Sequence, residues 1–404
     1  MAQFTIRELG RQGDGIAEGP VFVARALPGE VIEGDIEDGR IARPRIVTPS
    51  DDRVSPPCKH FKTCGGCQMQ HAADPLLAHW KTGIVADALA REGLEPPLRE
   101  MLTSPPRSRR RAKFAARRTK SGAMAGFRGR GSHTLVDVMD CHLITPELAK
   151  CLPFARAATA LGGSRKGEMS FHCTATPNGL DVHVSGGKPL DDGLRAHLPQ
   201  LATQHGVLRL VWDDELVAQS EPPVQVIGHA KVNMPSGAFL QATLHAESAL
   251  QTCVREIVQD AKEIADLFSG CGTFALDLAQ DAPVRAFEGD KSMTRACQDG
   301  ANYAGLRYPV KAITRDLFQD PLTAAELNAF DAVVLDPPRA GALAQSEELA
   351  QSDVPVIAYV SCDPASFARD VSVLVKAGFS LDWVQPVDQF RWSPHVELAA
   401  KLTR

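Results

Sequence analysis

DLFSGCGTFAL, Asp266–Leu276, decides how the chain is read. An apolar strand runs into a glycine turn and then into a helix. Glycines let the backbone approach a ligand closely, and open α/β sheets bind ligands in the crevice beyond their strand ends. The segment lacks the GxGxxG dinucleotide fingerprint. About twenty residues on, VRAFEGD ends a second strand at Glu288, where a carboxylate can accept hydrogen bonds from ribose hydroxyls. A glycine turn and a strand-end acid at this spacing fit an S-adenosylmethionine site at least as well as a nicotinamide one.

The pattern continues on both sides of this unit. ALQTCVREIVQD has helical spacing, whereas FDAVVLDPP and PVIAYVSCDP are apolar strands followed by loops. Strands alternating with helices predict a doubly wound parallel sheet, a Rossmann-like α/β fold, over residues 231–404. Residues 1–52 alternate over short stretches with Gly and Asp at the turns, which predicts a small β-barrel. Residues 53–230 mix helical and strand-like pieces as an α+β region, with a helix over LLAHWKTGIVADALAREG that ends at Gly93.

Four hundred and four residues accommodate two or three domains. With 44% hydrophobic and 23% charged residues, no bilayer-length apolar run and no signal-peptide pattern in MAQFTIRELG, the expectation is a cytoplasmic protein without membrane contact. The net charge of −5 argues against nucleic acid only as an average. RSRRRAKFAARRTK, Arg107–Lys120, is densely basic and is expected to contact phosphates; the alternative is a solvated charged face.

Three residue groups carry chemistry. VVLDPPRAG ends a strand at Asp336; its fourth residue, Arg339, replaces the aromatic of the adenine-N6 methyltransferase tetrad, and prolines alone could simply stop the strand. YVSCDP places Cys362 between a strand and a helix, where the helix N-terminus is expected to favour a thiolate. WSPHVE sets Glu397 among apolar residues, where its pKa would rise and suit a proton acceptor. Thiolate addition to C6 of uracil makes C5 nucleophilic toward a sulfonium methyl, and a base must then remove the C5 proton.

CKHFKTCGGCQMQH puts Cys58, Cys64 and Cys67 within ten residues, with Cys141 the best candidate for a fourth ligand. The x5, x2 spacing differs from that of radical S-adenosylmethionine enzymes. Four thiolates suit either zinc or a [4Fe–4S] cluster. The other five cysteines read as packing or loop residues.

Together, CKHFKTCGGCQMQH, FLQA, DLFSGCGTF, the Glu288 strand, DPPRAG, YVSCDP and WSPHVE resemble the RNA uracil-C5 (5-methyluridine) methyltransferase family over nearly the whole chain. The resemblance implies Cys362 as nucleophile and Glu397 as proton acceptor. It implies S-adenosylmethionine contacts at Gln241, Phe268, Thr273, Glu288 and Asp336. It also implies a [4Fe–4S] cluster on Cys58, Cys64, Cys67 and Cys141, a TRAM-like barrel, a monomer, and 23S ribosomal RNA as substrate, because the transfer-RNA branch generally lacks cluster and barrel. Relatives often carry Asn where Thr243 stands, and Asn or Gly can occur where Thr273 stands. The other readings are a transfer-RNA enzyme, a DNA cytosine-C5 methyltransferase (disfavoured because Ser, not Pro, precedes Cys362) and a non-catalytic RNA-binding iron–sulfur protein.

Overall fold

The computed structural model describes residues 2–404. Its largest sheet has eight strands in the order Val310–Thr314, Val284–Glu288, Ile264–Leu267, Ala332–Leu335, Val356–Ser361, Glu397–Thr403, Ser380–Asp388 and Leu102–Thr103. Glu397–Thr403 runs antiparallel to both neighbours; every other pairing is parallel. The strands Ile264–Leu267 and Ala332–Leu335 are buried at every position, as strands covered on both faces must be. The chain leaves Ile264–Leu267 toward one edge of the sheet and returns to build the other. The topological switch point therefore lies between Ile264–Leu267 and Ala332–Leu335, where this class of fold opens a ligand crevice.

Reversal of Glu397–Thr403 has a local consequence. An antiparallel strand begins where its parallel neighbours end, so Glu397 enters the sheet at the same edge at which Leu267, Glu288, Leu335 and Ser361 leave it.

Residues 2–48 form six short strands around a core that includes Ile6, Val23, Ile32 and Ile41. A seven-stranded sheet between Arg111 and Gln219 packs the helices Cys151–Gly162 and Asp192–Gln204 against one face through Phe114, Phe154, Phe171 and Leu198. The hairpin Val224–Ile227/Ala230–Asn233 spans the boundary expected at 230/231, and its Ile227, Ala230 and Val232 pack into the large-sheet core.

The helix Asp74–Arg91 forms as expected. Pro75 lies in its first turn, and Gly93 follows with φ +74°, a conformation that suits glycine. Its Leu77 and Trp80 pack with Met69, Ala72 and Leu143 of the central region. Its Val85 and Leu89 enter the core of the large sheet, and Leu102–Thr103 extends that sheet's edge. Residues 74–104 thus join the central region to the C-terminal sheet, which no local periodicity could have revealed.

Candidate active site

The turn after Ile264–Leu267 is shaped by backbone geometry. Phe268 has φ +63°, rare for a non-glycine residue, and its ring packs 5.3 Å from that of Phe318. A Cβ on Gly272 would lie 2.7 Å from Cys297 Sγ, so only glycine fits there. Gly270 N donates to Glu288 Oε2 at 2.9 Å and Ala275 N donates to Asp266 Oδ2 at 2.8 Å. Asp266 Oδ1 is buried without a partner. Thr273 contributes its carbonyl to Gln251 Nε2 at 2.9 Å.

Cys362, Asp336 and Glu397 lie close enough to perturb one another, and all three are held toward their protonated forms. Burial pushes the Asp336 carboxyl up to about 7. Burial, then Asp336, pushes Glu397 up to about 8, opposed by Gln389, Arg111 and Arg339. The Cys362 thiol is pushed up to about 11 by burial, Glu397 and Asp336, with Arg339 pulling the other way. This corrects the expectation that the helix N-terminus would favour the thiolate. The cap of helix Pro364–Lys376 is already taken by the Asp363 carboxylate, which accepts from Ala365 N and Ser366 N and adds a further negative charge.

Gln389, which sequence reasoning did not single out, joins the groups of the site. Its Nε2 donates to Gln241 Oε1 at 2.7 Å and to Glu397 Oε2, while its Oε1 accepts from Ala242 N at 2.7 Å. Gln241 Nε2 in turn reaches Asp336 Oδ2 at 3.4 Å. Two buried amides therefore connect the two buried carboxyls. No spacing rule would have found Gln389, because its partner Gln241 lies 148 positions away.

The loop between Ser380–Asp388 and Glu397 is gripped from outside the catalytic sheet. Lys81 Nζ lies 2.6 Å from Asp388 Oδ1, both side chains being buried. Arg391 Nη2 bonds both Asp74 carboxylate oxygens at 2.6 Å, and Trp392 O accepts from Gln68 N and Met69 N. Trp392 itself, at φ +61°, packs with Leu27, Met69, Leu77 and Trp80.

The basic stripe is not one surface. Arg110 is 3% exposed, pairs with Glu247 and donates to Gln241 O at 3.0 Å. It is a strut beneath the Phe239–Ala242 segment, not a phosphate contact. The Arg111 guanidinium lies 4.3 Å from the Phe239 ring centroid and is depressed to about 10 by burial and by Arg109 and Arg110. Arg107, Lys113, Arg117 and Lys120 remain exposed.

Cys58, Cys64, Cys67 and Cys141 line one cavity together with Phe61, Phe127 and Leu143. Burial first, then the neighbouring thiols, pushes Cys67 up to about 12 and raises Cys64. Gly66 N points at Cys64 Sγ at 3.4 Å; burial raises Cys141 as well, opposed by the backbone N–H groups of Leu143 and Ile144. Among the described residues, no group of three or more His, Cys, Asp or Glu is placed to hold a metal ion. Cys151, Cys173, Cys253, Cys271 and Cys297 are buried packing residues.

This arrangement defines a methyltransferase-type α/β enzyme, and comparison with known proteins specifies it. Residues 315–404 match the family described as tRNA (uracil-5-)-methyltransferase. An uncharacterized RNA methyltransferase of Mesorhizobium japonicum is 40% identical, covering 100% of this chain and 98% of its own. The 23S rRNA (uracil(1939)-C(5))-methyltransferase RlmD of Chromohalobacter salexigens is 31% identical over 99% of this chain and 89% of its own. The fold is shared with the tRNA (uracil-54, C5)-methyltransferase of Pyrococcus abyssi, solved with S-adenosyl-L-homocysteine, at TM-score 0.76 and 22% identity over 99% of both chains. The chain belongs to the RNA uracil-C5 methyltransferase family. No helix among the described residues is long and apolar enough to cross a membrane.

Proposed function

We propose that this enzyme methylates C5 of a uridine in 23S ribosomal RNA, using S-adenosylmethionine, in the cytoplasm. The observation that carries the reading is that Cys362, Glu397 and Asp336 stand at one edge of the sheet, with Gln241 and Gln389 connecting the two carboxyls. A cationic ligand bound beside Asp336 and Glu397 would lower both carboxyl pKa values and favour their anionic forms.

S-adenosylmethionine, when bound, supplies an electrophilic methyl group. Phe268, Thr273, Glu288, Gln241 and Asp336 are the residues to hold it. Cys362 first gives up its proton to solvent, and the thiolate sulfur forms a bond to uracil C6, so that the displaced electron pair makes C5 nucleophilic. Once C5 carries the methyl group, Glu397 takes the C5 proton. The electrons of that C–H bond restore the C5–C6 double bond and expel the Cys362 thiolate. Gln389 holds Glu397 in place for that proton.

The four cysteines fit a [4Fe–4S] cluster with a structural role. All four are half-buried and line one cavity, and backbone N–H groups aim at two of the sulfurs, the kind of donor that stabilises cluster thiolates. In this reading residues 1–52 are a TRAM-like RNA-binding barrel, 53–230 carry the cluster and RNA contacts, 231–404 perform the transfer, and the enzyme is a monomer.

Transfer RNA is the second reading, favoured by the family description that matches residues 315–404. Mapping 5-methyluridine in ribosomal and transfer RNA from a deletion strain tests both. One uridine in 23S RNA should lose its methyl group; loss confined to transfer RNA would overturn the ribosomal assignment.

A further inference from the structure

We infer that the barrel turn at residues 10–13 completes the active site as a binding subsite for an RNA phosphodiester beside the target uridine. The inference rests on the RNA-methylating reading above and adds a place on this chain where the substrate backbone is held.

Arg11 and Gln12 line the same cavity as Cys362, Arg339, Asp363 and His395. The barrel thus reaches the mouth of a site whose chemistry belongs to a sheet more than 250 positions away in sequence. Both arginines are exposed, and neither has a hydrogen-bond or ion-pair partner among the described residues. The Asp363 carboxylate is occupied in capping its helix. His395 is held toward its neutral form by partial burial and by Arg339, Lys81 and Arg109. Two guanidiniums against one carboxylate leave one net positive charge at the mouth, matching the single negative charge of a phosphodiester.

The turn is also built to stay where it is. Gly10 N donates to Asp14 O at 2.8 Å, and Gly13 N donates to Gly10 O at 2.9 Å. The Asp14 side chain, 3% exposed, is bonded by Arg40 from the barrel and by Arg130 from the central region at 2.7 Å. Gly13, at φ +79°, sits where a Cβ would be 2.8 Å from Met69 Sδ. A fixed turn bearing an unpaired arginine loses little freedom on binding, which favours affinity. A uridine must leave its stack to reach Cys362, and its flanking phosphates then pass the rim of the cavity. Arg11 is placed to bind one of them, with the Gln12 amide beside it.

The test uses the full-length, anaerobically purified protein and undermodified 23S ribosomal RNA, with binding measured across a series of salt concentrations. Arg11→Ala should weaken RNA binding roughly three- to tenfold at low salt. It should also reduce the slope of log K against log salt by about 0.7, the share of one single-strand phosphate. Arg11→Lys should restore the slope, and S-adenosylmethionine binding should be the same in all three proteins. If the wild type methylates this RNA and Arg11→Ala keeps both its affinity and its slope, the subsite is refuted. If the wild type methylates no uridine in it, the ribosomal-RNA reading itself has failed.

Discussion

Replacing Gln389 with leucine should move the ionisation of Glu397 without changing the nucleophile. The Glu397 carboxyl stands at about 8 against an ordinary 4.5. That difference is roughly 5 kcal/mol against ionisation, at about 1.4 kcal/mol per pKa unit. The Gln389 amide opposes it by donating to Oε2. A hydrogen bond to a charged group contributes roughly 1.5–3 kcal/mol, so Gln389→Leu should raise the pKa by about one to two units, to roughly 9–10. Only the ionised carboxylate accepts the C5 proton, so the rate should rise with pH and level off above the pKa. At pH 7.5 the ionised fraction falls from about a quarter to between roughly 3% and 0.3%, slowing the step about 8- to 80-fold. The step can be isolated because Cys362 has already reacted once the methylated protein–RNA adduct exists. Adduct formed in a single turnover is therefore shifted to a range of pH values and its decay followed on denaturing gels. The variant limb should lie one to two units above the wild-type limb, and the two should converge at high pH. Coincident limbs, or a loss of rate that is uniform across pH, would refute the electrostatic argument.

Cys362→Ala should neither methylate RNA nor form an adduct, whereas Glu397→Gln should accumulate an adduct carrying label from the methyl donor; turnover of Glu397→Gln at the wild-type rate would assign the proton to another group. Anaerobically purified protein should be brown with about four irons per chain, and Cys141→Ser should lower that content; one zinc and no iron would exclude the cluster. Lys81→Met leaves Asp388 buried without its cation and should destabilise the catalytic loop by roughly 3–5 kcal/mol, seen as a lower Tm; an unchanged Tm would mean that the pair is not what fixes the loop.

Much of the candidate site's layout was legible because strand ends announce themselves. Apolar runs closed by Gly, Pro or Asp mark where Glu288, Asp336 and Cys362 leave the sheet. Glu397 could be placed among apolar residues, but not the reversal of its strand that carries it to the same edge. What stayed hidden depends on pairs far apart in sequence: Lys81 with Asp388, Asp74 with Arg391, Gln241 with Gln389, and Leu102–Thr103 beside Ser380–Asp388. Charge density misled at Arg110, because a run of arginines does not say which faces are turned inward. Local chain position misled at Cys362, because helix-dipole reasoning omits the carboxyls that tertiary structure brings beside the thiol.

The grip of Asp74–Arg91 on the catalytic loop also sets an order on the ribosome. Lys81 emerges 307 positions before Asp388 (388 − 81), and at roughly 5–20 residues per second its partner follows roughly 15–60 s later. During that interval the helix carries Val85 and Leu89, which have no sheet to cover, and a lysine that cannot yet be buried. The large sheet cannot close either, since its edge strand Leu102–Thr103 is made early and the partner Ser380–Asp388 far later. The nascent chain should therefore present this helix to chaperones throughout that interval, and catalytic competence should arrive late, once Glu397–Thr403 has emerged and paired with its neighbours.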